Sequence, residues 1–147
     1  MNKEFLIESI SKIRLPESRF VKEYSDKKDD LVIYVNKTLI KREDIEKLIG
    51  PEDKEMMQNN HYNHALFMES ILTAFNPNVF VETILWVFKV YRAHGFHELY
   101  WTAQLNAWLD AMRLNLSKDA YAAIEPVYHW LIVNLPIMLN LQGQSKD

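Results

Sequence analysis

A single all-α domain of about six or seven helices is the fold class this sequence predicts, and three observations predict it. Apolar residues after position 50 recur at spacings of three and four over long runs, the period of a helix face. The punctuation is sparse and sits between those runs: three Gly and five Pro in 147 residues. One segment alone, Leu31–Val35, has the β-branched content of a strand, and with no second segment to pair with it is read as helix.

Lys3–Ile13 reads as a short helix ended by Leu15-Pro16, and Glu17–Asn36 keeps a helical period across the charged run Lys27-Lys28-Asp29-Asp30. Arg42–Ile49 is a short helix closed by Gly50. Pro51, Glu52, Asp53 and Glu55 then open the next, since Pro fits the first helical position and acids favour the positive end of the dipole. Met57, His61, His64, Met68, Ile71 and Phe75 share its face, and Asn76-Pro77-Asn78 stops it. Val79–Ala93 is apolar on nearly every side and is stopped by Gly95. His97–Leu116 is amphipathic, with Trp101, Leu105, Trp108, Leu109 and Met112 on one face. Ser117 caps a last helix carrying Tyr121, Ile124, Tyr128, Leu131 and Leu135. Pro126 and Pro136 are expected to kink or end that helix, and Gly143–Asp147 to fray.

Charge divides the chain. Met1–Asn60 holds 25 of the 37 charged residues. The residues up to 50 therefore read as a charged N-terminal layer on an apolar core formed by 51–140, within one domain. With 17 Lys and Arg against 20 Asp and Glu, the net charge of −3 gives no reason to expect nucleic acid as the main partner. The absence of Cys excludes disulfides, thiol nucleophiles and Cys-ligated metals. No apolar stretch is expected to reach the roughly 20 residues of a membrane span, and no signal-peptide core is present. A cytoplasmic location is the expectation.

Two polar clusters are candidate sites. His61 and His64, three apart, can converge on one cation or ligand, or can be core-edge histidines bonded to Asn side chains and carbonyls. The corner Tyr91–Trp101 gathers Arg92, His94, His97 and Trp101, which suits an anion or planar ligand, or packs and solvates as a helix corner. His129 reads as a core histidine among apolar neighbours. Glu69 and Glu82 are a carboxylate pair by spacing only. Ser70 and Ser117 have no adjacent base, and nucleophile-elbow and phosphate-loop signatures are absent. So much apolar helix implies exposed apolar area, and hence a symmetric homodimer.

The order of the helices His61–Phe75, Val79–Ala93, His97–Leu116 and Lys118–Leu135 resembles the later helices of a globin-like fold. It is similar in particular to the non-heme globin-like sensor domains at the N-terminus of bacterial stressosome regulators. That resemblance implies a dimer that senses a small apolar or planar ligand and signals to an output, here a separate signalling partner protein. Heme-binding globins need a proximal His within the helix at Val79–Ala93. This chain has only His94 at its end, so heme, with His64 or His94 as axial ligand, is the alternative rather than the expectation. The second reading is therefore a heme- or metal-dependent protein, with enzymatic activity open, using His61, His64 and His94 or His97.

Overall fold

The computed structural model describes residues 2–143, so the expected fraying of 144–147 lies outside the described residues. Seven helices form one all-α domain: α1 Lys3–Ser11, α2 Ser18–Ile40, α3 Ile45–Ile49, α4 Lys54–Thr73, α5 Pro77–Ala93, α6 Leu99–Asn115 and α7 Lys118–Gly143. Helices α2, α6 and α7 pack pairwise on one another at the centre. Helix α4 joins α2, α3 joins α6, and α1 with α5 packs on α7.

Helix α1 is capped by Asn2, whose Oδ1 accepts from Phe5 N at 3.0 Å. It is tied to α5 by Lys3–Glu82 at 2.9 Å and to α7 by the Trp130 indole N–H donating to Ser9 Oγ at 2.9 Å. Helix α2 runs without interruption through Lys27–Asp30, because Asp26, Lys27, Asp29 and Asp30 all stand on its solvent side. Its other face carries Tyr24, Leu31, Val35 and Leu39 into the core. The charged N-terminal third is thus an outer layer on one side and core on the other, and Leu31–Val35 is helical.

Pro51 lies in a turn, and α4 starts at Lys54, later than the Gly50-Pro51 signal suggests. Helix α4 stops at Thr73, just before Asn76-Pro77-Asn78 as expected, and Pro77 itself opens the next helix. It occupies the first turn of α5, whose cap Asn76 accepts from Val79 N at 3.1 Å. The α5 terminus is a Schellman motif: Phe96 N donates to Tyr91 O at 3.0 Å and Gly95 N to Arg92 O at 2.9 Å. Gly95 supplies the φ of +94° and the Phe96 ring meets Tyr91 edge-on at 4.9 Å.

Helix α7 is capped by Ser117, whose Oγ accepts from Ala120 N at 3.2 Å. It stays helical past both Pro126 and Pro136, so neither ends it. The expectation about apolar stretches fails here. By length and composition Lys118–Gln142 could cross a membrane, with a mean hydropathy of 1.3 over its most apolar window. In this domain it is a core helix, packed on α6, α2, α5 and α1. His129 is on its solvent side, 3.7 Å from Glu125, rather than in the core.

Candidate functional site

Helix α5 packs its backbone closely on α1 and α7, more than on α4 and α6, its neighbours in sequence. The gap is a cavity of about 380 Å³, within the usual size of small-molecule sites. Phe67 and Met68 of α4, Ile84 and Phe88 of α5, and Trp101 and Leu105 of α6 form its apolar walls. Trp86, 62% exposed, also lines it and brings it to the surface. Among the described residues no Lys, Arg, Asp or Glu lines it.

Its polar groups include Asn60, Asn63 and His64 from α4, Thr83 and the Tyr91 hydroxyl from α5, and Gln104 from α6. Gln104 is 2% exposed, yet its amide makes no hydrogen bond among the described residues. Neither amide atom is among the sealed, unpartnered ones, and Gln104 lines the cavity. A buried polar group left in that state costs free energy unless water or a ligand satisfies it.

His64 is half-buried. Its Nε2 lies 2.8 Å from the Tyr128 hydroxyl, which lies 2.9 Å from the hydroxyl of Tyr24, and its ring packs on Trp108 at 4.6 Å. Burial, with a smaller contribution from nearby His61, pushes its pKa down to about 3, so the ring is neutral. Burial raises both tyrosines, which stay protonated. Tyr24 has no other hydroxyl partner among the described residues. Donation from Tyr24 to Tyr128 to Nε2 is therefore the polarity that leaves no core hydroxyl proton unpaired, and it puts the ring proton on Nδ1. That nitrogen has no protein partner among the described residues and is not sealed.

His61 lies behind the cavity wall. Its Nδ1 donates to Asn36 Oδ1 at 2.5 Å, and its Nε2 is 3.0 Å from the Tyr100 hydroxyl. Burial alone lowers its pKa to about 3. Tyr100 also lies 2.6 Å from the Asn60 amide oxygen, and one phenol proton cannot serve both acceptors. All three groups are satisfied when the Asn60 NH₂ faces the Tyr100 oxygen and Tyr100 donates to His61. Both nitrogens of His61 are thus occupied, and His61 and His64 turn to different partners. Among the described residues no three His, Asp or Glu side chains group closely enough to hold a metal ion.

The corner residues separate. Trp101 lines the cavity, packed on Phe88 at 4.6 Å. Arg92 donates to Glu98 at 3.1 Å and to the Leu139 carbonyl at 3.2 Å, fastening the corner to the end of α7. His97 Nδ1 accepts from Leu99 N at 3.0 Å and caps α6. His94 is exposed at the end of α5, outside the cavity. Glu69 binds Ser25 and Lys28 of α2 while Glu82 binds Lys3 of α1, so these carboxylates do not pair.

Comparison with protein-family models, curated proteins and solved structures finds no match. The site therefore rests on its own residues. Of the sequence candidates, the structure brings His64 and Trp101 to one cavity. Gln104 was missed, although a signal existed: it stands three or four positions from Tyr100, Trp101 and Trp108, a polar residue on an apolar helix face.

Proposed function

We propose that this chain is a non-enzymatic regulatory module of the cytoplasm that takes a small apolar or planar molecule into the α4–α5–α6 cavity. It acts as a homodimer and passes occupancy to a separate signalling protein, in the manner of the globin-like sensors its helix order resembles. The observation that carries this reading is the cavity of about 380 Å³, walled by aromatic and aliphatic side chains. The homodimer is supported by large apolar side chains left on the surface, among them Val79 and Trp86, seven apart on α5, and Tyr62 and Leu66, four apart on α4. In an NMR titration, butylbenzene is expected to shift resonances of α4, α5 and α6, and Val87→Trp, which fills the space, to abolish the response. No saturable binding to the unaltered protein would overturn the ligand reading. Sedimentation tests the dimer: Trp86→Glu is expected to yield monomers, and a monomeric parent protein removes that part of the proposal.

A further inference from the structure

The cavity discriminates among apolar molecules by the chemistry of its lining. Among the described residues its walls offer no formal charge of either sign. Its one imidazole, His64, is neutral, because burial depresses its pKa to about 3. An ionised carboxylate or ammonium entering here loses its hydration and finds no counter-charge, which is expensive. A pure hydrocarbon is also imperfect. It covers the Gln104 amide, 2% exposed and without a protein partner among the described residues, and displaces whatever water satisfied it.

We propose that the cavity selects an uncharged, mainly apolar molecule carrying one amide-like edge, and that the side-chain amide of Gln104 holds that edge. The Gln104 NH₂ donates and its carbonyl accepts, so a primary or cis amide meets it with two antiparallel hydrogen bonds. The aromatic walls from Phe88 and Trp101 accommodate the apolar remainder. This rests on the cavity being a ligand site, and names what that ligand must present.

Three probes of one shape separate the possibilities: 4-butylbenzamide, 4-butylbenzoate and butylbenzene, each titrated by NMR at pH 7 into the unaltered protein and into Gln104→Leu. The benzamide is expected to bind about tenfold more tightly than either other probe. In Gln104→Leu that preference over butylbenzene disappears, while butylbenzene binding is kept. Equal affinities for benzamide and benzoate overturn the selectivity, and so does a preference that survives Gln104→Leu. In both cases continued binding of butylbenzene leaves the cavity standing as an apolar site. If none of the three binds the unaltered protein, the ligand-site reading fails and this inference fails with it. The comparisons of the benzamide with the benzoate and with butylbenzene need no variant, so an equal affinity in either overturns the selectivity even if Gln104→Leu does not fold.

Discussion

The Tyr128 hydroxyl lies 2.8 Å from Nε2 of His64, joining the last helix to the cavity wall through one part-buried hydrogen bond. Tyr24 lies 2.9 Å behind it. Tyr128→Phe strips a partner from both neighbours and is expected to cost about 1–3 kcal/mol in denaturant unfolding. Adding Tyr24→Phe removes one of the two orphans, so the double variant is expected to lose less than the sum of the single losses.

Acid sensitivity follows from the two buried imidazoles. Each has a folded pKa near 3 against 6.5 for the unfolded chain, so the unfolded state binds the extra protons. The stabilisation is fully present above pH 6.5 and is lost as the pH falls toward about 3. The slope approaches about 1.4 kcal/mol per pH unit for each histidine. Glu69, held below its ordinary 4.5 by Ser25 and then Lys28, contributes only at lower pH. Chemical unfolding between pH 7 and pH 5 therefore isolates the histidines, and His64→Gln is expected to flatten the slope there.

Pro136 sits inside α7 with an exposed ring, so it deprives the Ile132 carbonyl of its helical donor without filling core space. Pro136→Ala is expected to raise stability by about 1–3 kcal/mol, read as a higher denaturant midpoint.

Gln104→Leu is expected to stabilise the protein by about 1 kcal/mol in the absence of added ligand, because it replaces an unpartnered buried amide by an apolar side chain of similar size. A loss of stability in thermal unfolding would show that the amide is already satisfied.

Gly95→Ala isolates backbone strain. No atom lies within 4 Å of an added Cβ, but φ is +94°. A loss of about 1–2 kcal/mol is expected, with helix content unchanged by circular dichroism.

The helices were legible because core-facing residues such as Leu105, Trp108 and Met112 repeat with the helical period, and because Gly95 admits a left-handed turn that other residues resist. Pro77 marks the end of α4 correctly, but the sequence places the start of α5 two residues late, at Val79. One proline can close one helix or open another, and the Asn76 side chain that decides it is a cap visible only in space. His64 and Trp101 stood out by residue type. Arg92 stood out equally, yet its partner is a backbone carbonyl 47 residues away, which no local pattern records. The cavity itself was not legible, since it depends on how far α5 stands from α4 and α6, and that distance is set by packing on α1 and α7.

That standoff gives the domain a direction. Helix α5 is gripped on its far side, by the Lys3–Glu82 ion pair and by its packing on α1 and α7, and Arg92 anchors its C-terminal corner to Leu139. In the proposed module a guest would press on the side of α5 that faces α4 and α6, opposite those contacts. Occupancy would then be felt first through the contacts of α5 with α1 and α7.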